Sequence, residues 1–184
     1  MPLTLREFRT DDFETLWSID QQCFAPGIAY SRRELQAYIQ LRSAFTLIAE
    51  GENEKPLAGK KHAKSDSSRI TSGREILGYL VAHANRRGIG HIITIDVRPD
   101  ARRQKAGSLL LAAAEERLRK MSCQSVVLET AVDNSAALAF YKCHGYSVVK
   151  TVPRYYSNGV DALVLEKVLQ ESRRQDLLSP SRAG

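Results

Sequence analysis

Cysteine is scarce in this chain. Only Cys23, Cys123 and Cys143 occur, and they fit neither a CxxC pair nor a Cys/His spacing, so neither a disulfide framework nor a metal site is expected. The thiols read instead as buried or half-buried singletons. No apolar run approaches the roughly 20 residues that span a bilayer. The opening MPLTLREFRTDDF carries acids where a signal peptide has an apolar core. No membrane partner and no secretion are expected, and the chain reads as a soluble cytoplasmic protein. The phosphate-binding patterns GxxxxGK[ST] and GxGxxG are missing, as are internal repeats and any aromatic-basic RNA motif.

What is present is ordinary globular chain. Its 184 residues, 43% hydrophobic and 26% charged, suffice for one core, since a domain of about 150 residues buries roughly 70% of the surface its unfolded chain exposes. A net charge of +6 suits an anionic partner, whether nucleic acid, ribosome or a phosphate-bearing cofactor. Charge alone does not choose among these, and without an RNA motif direct nucleic-acid binding is not expected.

Hydrophobic periodicity sets out the elements. PLTLREF alternates as an opening strand. Thr10 is placed to cap a helix with Asp11 and Asp12 in its first turn, interrupted by Pro26 and Gly27. Ser31 and Glu34 form a capping box for a second helix through Leu35, Tyr38, Ile39 and Leu41. AFTLIAE and ILGYLVAHA read as strands, and the polar, charged stretch 51–74 between them as a long flexible hairpin insertion. HIITIDV is a strand stopped by Pro99. SLLLAAAEERLRKM is an amphipathic crossover helix leading to the buried strand SVVLE, and that β-α-β order makes the two strands parallel. Asn134 caps a further helix that stops at Gly145. YSVVKTV and DALVLEKVL are the last strands, joined by PRYYSNG with its Asn-Gly turn. The domain runs over 1–169, and 170–184 reads as a frayed tail.

The chemistry concentrates in RPDARRQKAGS. This turn lies between an apolar strand and an Ala-rich helix, where free N–H groups and the helix dipole favour anions. Arg98, Arg102, Arg103 and Lys105 add positive charge, and Gly107 permits close backbone approach. Cations at a helix N-terminus are otherwise mildly unfavourable, which favours a binding role over a purely structural one.

The run V-x-P-x-x-R-R-x-x-x-G at Val97, Pro99, Arg102, Arg103 and Gly107 resembles the acetyl-CoA motif of the GNAT superfamily. LETAVDNSAALAFYKCHGY is similar to the second half of that core at Leu128, Glu129, Asn134, Ala137, Tyr141, Gly145 and Tyr146. With the stretch from Gly51 to Arg74 set aside, the resemblance spans roughly Leu3 to Leu169. It implies an α/β fold with a mixed central sheet of roughly six or seven strands flanked by about four helices, its fourth and fifth strands parallel and splayed. It further implies that acetyl-CoA is the co-substrate. Backbone groups of Arg102, Arg103, Gln104, Lys105, Ala106, Gly107 and Ser108 would hold its pyrophosphate. Ile95, Asp96 and Val97 would hydrogen-bond its pantetheine arm, Asn134 would contact it, and Tyr141 would protonate the departing thiolate. Lys105 departs from the pattern, standing where the first glycine belongs.

Amine acetylation needs a base, because an α-amine of pKa about 8 is mostly protonated at neutral pH and attacks only when neutral. Glu129, at the expected mouth of the splay, is the candidate. His91 is either a second base or an inert strand-start histidine. Asp96 is expected to alternate away from the face bearing His91, Ile93 and Ile95.

PRYYSNGVDALVLEK resembles the C-terminal signature of protein N-terminal acetyltransferases, especially the ribosomal-protein-alanine type. That likeness implies a peptide slot lined by Tyr155 and Tyr156 and, from the loop between the first two helices, by Phe24, Ile28 and Tyr30. The acceptor it implies is a protein N-terminus, ribosomal proteins among the candidates. Polyamines or amino sugars stay open as acceptors, as does a non-catalytic acyl-CoA-binding module.

Overall fold

The computed structural model describes residues 3–52 and 74–169. In chain order the elements are β1 (Thr4–Glu7), α1 (Phe13–Cys23), α2 (Arg32–Ile39), β2 (Ala44–Glu52), β3 (Arg74–Ala84), β4 (Ile89–Val97), α3 (Ala106–Lys120), β5 (Ser125–Ala131), α4 (Ser135–Cys143), β6 (Ser147–Val152) and β7 (Ala162–Val168). The strands form one seven-stranded sheet in the order β1-β2-β3-β4-β5-β7-β6. Only β4 and β5 are parallel, as the crossover through α3 requires.

The sheet is covered on both faces. Leu110, Leu111, Ala114 and Leu118 of α3, with Tyr141 of α4, pack on one face against Leu80, Ala82, Ile92, Val126 and Leu128. Leu16 and Ile19 of α1, with Leu35 of α2, cover the other against Ile48, Tyr79 and Val81. Truncating any of these fully buried leucines to alanine costs roughly 2–5 kcal/mol, so both layers hold the sheet firmly.

Local chemistry sets the helix ends. The Ser31 side chain accepts from the Glu34 N–H while Glu34 reaches back to the Ser31 N–H at 2.9 Å. Asn134 Oδ1 accepts from the Ala137 N–H at 3.1 Å, and Gly145 takes φ +86° after α4, the left-handed conformation glycine adopts most easily.

Several expectations are corrected. Thr10 does not cap α1. Thr10–Asp12 form a 3-10 turn, and the Asp12 carboxylate accepts from the Arg9 N–H at 2.7 Å while pairing with Arg6. Leu41 lies beyond α2, which ends at Ile39, and it is exposed. Gly51, Glu52 and Arg74 belong to strands, paired as Gly51↔Glu75 and Glu52↔Arg74. The rest of the predicted insertion and the predicted tail lie outside the described residues. β7 intervenes between β5 and β6, an order that strand patterns do not encode.

One irregularity shapes the site. The β3–β4 register runs Val81↔Thr94 and then Ala82↔Ile92, leaving Ile93 as the extra residue of a β-bulge. The alternation of β4 therefore slips. Ile92, Ile95 and Val97 pack with the α3–α4 layer, and Ile93 packs with the α1–α2 layer. Asp96, paired with Tyr79, shares the α1–α2 face with Ile93 and with His91, which is paired with His83. The expected grouping of His91, Ile93 and Ile95 on one face fails for this reason.

Candidate active site

Parallel pairing between β4 and β5 covers only Ile89↔Ser125, Gly90↔Val126 and His91↔Val127. Beyond His91 the strands separate, and a cavity of about 780 Å³ opens between them. Its walls include Ile92, Ile95, Phe140 and Tyr141 from the α3–α4 face and Cys23, Tyr30 and Ile93 from the α1–α2 face. The cavity is thus a slot between the parted strands, lined from both faces of the sheet.

On the α3–α4 side the wall is largely backbone. The Arg98 N–H donates to the Leu77 carbonyl at 2.8 Å, so by antiparallel alternation Val97 and Ile95 turn their own N–H and C=O groups away from β3 and toward the slot. The Val97 carbonyl there accepts from the Cys23 thiol and from Arg102 Nε, each at 3.3 Å. Asp96 is turned the other way. Its carbonyl lies 2.4 Å from where a Gly78 Cβ would stand, so only glycine fits at residue 78 and Asp96 offers the slot no backbone group.

The turn before α3 forms a cradle. Arg103 and Lys105 take φ of 67° and 68°, the left-handed region that costs a non-glycine residue roughly 1–2 kcal/mol. Left-handed residues of this kind occur in turns that present backbone N–H groups to anions. The first bond within α3 is Leu109 N–H to the Lys105 carbonyl, so Ala106, Gly107 and Ser108 have N–H groups with no partner inside the helix. All three line the slot with Arg102, Arg103 and Lys105. Lys105, which departs from the family pattern, holds a left-handed backbone conformation of the kind glycine adopts most easily. A Cβ on Gly107 would meet Phe140 at 3.5 Å and Val97 at 3.6 Å, ordinary contacts. Packing therefore does not demand a glycine there, whereas a phosphate approaching the backbone would.

Two residues of this turn differ from expectation. Gln104 does not line the slot, and its side chain donates to the Asp100 carbonyl at 3.3 Å. Arg98 is held by Glu75 at 3.0 Å and Asp100 at 2.7 Å, outside the slot.

On the α1–α2 side the wall is made of side chains. Tyr30 is fastened at every polar group. Its N–H donates to Asp20 at 2.9 Å, its carbonyl accepts from Gln21 at 2.8 Å and from Trp17 at 3.3 Å, and its hydroxyl donates to the Ile93 carbonyl at 3.3 Å. Phe24, Ile28, Tyr155 and Tyr156 line the same side. The two loops that carry them touch, since the Ser157 hydroxyl donates to the Gly27 carbonyl at 3.0 Å. Burial, then the charges of Tyr155 and Glu129, push the Tyr156 phenol up to about 12, so it is a neutral hydrogen-bonding group at physiological pH.

Glu129 lines the slot between the two sides, and its Oε2 lies 2.6 Å from His91 Nε2. His91 does not line the slot. It stands behind Glu129 with its ring edge-on to His83 at 5.5 Å. Tyr141 lines the opposite wall; burial, then the Asp96 and Tyr156 charges, raise its phenol well above the usual range. Asn134 lines the slot too, but its Oδ1 is engaged in the α4 cap, which leaves its NH₂ for a ligand. The slot-lining Thr94 and Cys23 were not singled out from sequence, because the bulge that sets the face of Thr94 has no local signature.

The chain belongs to the acetyltransferase (GNAT) family, which matches residues 13–146. A curated relative is N-alpha-acetyltransferase 30 of Dictyostelium discoideum, 41% identical over 76 residues that make up 41% of each chain. The chain spans about half the length of the curated relatives it matches, 41%, 59% and 49% for three of them. The fold is shared with the ribosomal-protein-S18-alanine N-acetyltransferase from Escherichia coli, with a TM-score of 0.71 at 18% identity over 95% of this chain and 98% of that one. It is also shared with a chain of the NatC complex bound to Gag peptide and CoA, with a TM-score of 0.68 at 24% identity over 92% of this chain and 100% of that one. Among the described residues, no helix is long and apolar enough to cross a membrane.

Proposed function

We propose that this protein transfers the acetyl group of acetyl-CoA to a primary amine, and that the amine is the N-terminal α-amine of a protein. The observation that carries this reading is the slot between the parted strands, with a basic turn and the free N–H groups of the α3 N-terminus at one end and a carboxylate among aromatic side chains at the other. Names among the relatives and fold neighbours support it, since they include an N-alpha-acetyltransferase and a complex bound to a peptide and CoA.

The residues present fit acetyl-CoA. The N–H groups around Arg103, Lys105, Ala106, Gly107 and Ser108 would hold the pyrophosphate, helped by the positive end of α3. Ile95 and Val97 would pair with the pantetheine arm as a missing strand would, and the Asn134 NH₂ would donate to it. On the other side, Tyr30, Tyr155 and Tyr156 would enclose the acceptor backbone, with Phe24 and Ile28 against its first side chain. Glu129 would take the ammonium proton, directly or through water, and His91 would hold that carboxylate in place. The neutral amine would then attack the thioester carbon and the C–S bond would break, with Tyr141 giving its proton to the leaving sulfur and the second nitrogen proton, shed as the amide forms, passing through water to restore the Tyr141 phenol. Burial keeps Tyr141 protonated until that moment. Three unpaired thiols among the described residues suit a reducing compartment such as the cytoplasm.

The test is thiol release from acetyl-CoA with a panel of peptides differing in first residue, beside lysine side-chain peptides, polyamines and amino sugars. N-terminal peptides of ribosomal proteins belong in the panel because one fold neighbour acetylates such a protein. A clear preference for α-amines is expected. Acetyl-CoA binding without turnover on any acceptor would leave only a binding module.

A further inference from the structure

Behind the acceptor wall lies a group of polar side chains that the proposed reaction does not use. Asp20 of α1, Tyr79 of β3 and Asp96 of β4 are 0%, 0% and 1% exposed. Asp20 Oδ1, Tyr79 Oη and Asp96 Oδ2 have no hydrogen-bond partner among the described residues. Neither carboxyl group is in an ion pair there. Tyr79 lies close enough to Asp96 to favour its charge, yet its geometry falls short of a hydrogen bond. Buried acids without a cation and with an orphaned oxygen are costly to fold around, and such groups concentrate where charge is used.

This group connects to the slot at two points. Thr94, which lines the slot, donates its hydroxyl proton to Asp96 Oδ1 at 2.9 Å. With that proton committed, the Thr94 oxygen has only lone pairs left to offer. The second link is Asp20, whose Oδ2 accepts from the N–H of Tyr30 on the same wall. The bulge at Ile93 makes this arrangement possible, because it puts Thr94 and Asp96 on the acceptor face while Ile95 and Val97 stay on the cofactor face.

We infer that Asp96 is a positioning residue for the acceptor amine, holding the Thr94 hydroxyl as a fixed hydrogen-bond acceptor and placing a negative charge behind the wall that an incoming ammonium approaches. The inference rests on the amine acetylation proposed above and adds to it the way the acceptor is drawn in before Glu129 takes its proton. The charge is switchable. Burial, then the Asp20 charge, push Asp96 up to about 7, against the opposing pull of Tyr79, Thr94 and Arg102. The groups that face Asp96 are Asp20 and Cys23 from α1, Tyr30 from the loop after it, Tyr79 from β3, Thr94 from β4, Arg102 from the cradle and Tyr141 from α4. Arg102 alone among them is cationic, and its effect is the smallest of those named for Asp96. The wall is therefore negative at alkaline pH, losing the Asp96 charge as pH falls through about 7 and the Asp20 charge through about 6.

The experiment is steady-state kinetics of the full chain with acetyl-CoA and an accepted peptide across the neutral pH range, for wild type, Asp96→Asn, Thr94→Val and Thr94→Ser. In Asp96→Asn the peptide KM is expected to rise about threefold to tenfold on the alkaline side, with kcat changed less than about twofold, the scale of one charge acting through a partly screened wall. The wild-type rise in KM as pH falls through about 7 should be flattened in that variant. Thr94→Val should copy the KM effect and Thr94→Ser should restore it. A purely structural role would leave both the KM-to-kcat split and the pH profile of folded Asp96→Asn like wild type, and that result overturns the inference while leaving acetyl transfer intact. If wild type releases thiol with no acceptor at all, the proposed function fails, and this inference fails with it.

Discussion

The two mouths of the slot are built from different materials. On the α3–α4 side the ligand would meet backbone, namely the N–H groups of the turn before α3 and the open edge of β4 at Ile95 and Val97. On the α1–α2 side it would meet side chains, namely Tyr30 and Glu129, each hydrogen-bonded to a distant segment, and Tyr155 and Tyr156, whose loop is tied to the α1–α2 loop through Ser157 and Gly27. A backbone cradle depends on the path of the chain, and Lys105 takes a left-handed φ of 68° in it; a side-chain wall depends on the identity of each side chain. It also contains the cluster of Asp20, Tyr79 and Asp96, a burden the cradle lacks.

The comparison breaks first at Glu129. Glu129→Gln keeps the size of the side chain and removes the base, so kcat/KM should fall about 10²-fold or more, within the range for general-base catalysis. The Kd for acetyl-CoA, measured by calorimetry, should stay unchanged. A matching loss of cofactor affinity would mean that the two mouths are not separable.

The burden of the acceptor side is a matter of stability. Both Asp20, pushed up to about 6, and Asp96, pushed up to about 7, start from 3.8, burial being the larger cause in each. A carboxyl group whose folded pKa is raised makes folding take up a proton. Stability is then greatest below the unfolded value and declines as pH climbs through the folded one. Denaturant unfolding of the wild type should show that decline between about pH 4 and about pH 7. Asp96→Asn should remove the Asp96 share, leaving the shallower decline due to Asp20, and make the protein about 2–4 kcal/mol more stable at alkaline pH, from roughly 1.4 kcal/mol per pKa unit. An Asp96→Asn curve parallel to wild type would mean that the cluster is hydrated and unstrained.

Tyr141→Phe removes the proton offered to the leaving thiolate while keeping the ring that packs with Phe140 and Tyr146. An approximately tenfold to hundredfold fall in kcat is expected, with little change in KM for the peptide. A thiolate of pKa about 8.5 can leave with help from water, which limits the loss.

The smallest effect tests the cradle. Gly107→Ala adds a Cβ that meets only ordinary contacts in the protein, so stability should be unchanged or up to about 1 kcal/mol higher from helix propensity. Acetyl-CoA affinity should nonetheless drop about tenfold, because the methyl group occupies space that the phosphate approach requires. Unchanged affinity would move the pyrophosphate away from this helix end.

Much of the fold was legible from local chemistry. Ser31 with Glu34, Asn134 and Gly145 mark helix ends because a cap is satisfied within a few residues. The crossover through α3 makes β4 and β5 parallel from chirality alone. Thr10 misled because Asp12, two residues on, reaches Arg6 of β1 as well as the Arg9 N–H, a competition decided by a residue outside the helix. Of the candidate site, the cradle could be read as a contiguous motif. The pairing of His91 with Glu129 across 38 positions could not, nor could the bulge at Ile93 that puts Asp96 on the same face as His91 and Ile93.

The sequence by itself determined the element order, most of the helix ends, and a basic turn at the start of α3 suited to phosphate, because each depends on residues within one or two turns of chain. The resemblance implied a splay of β4 and β5, but the tertiary structure alone decided that they part after His91, that Ile93 bulges, and that Thr94 and Asp96 consequently share the α1–α2 face. Those outcomes depend on strand register and on which layer covers each face, and register is a property of paired strands.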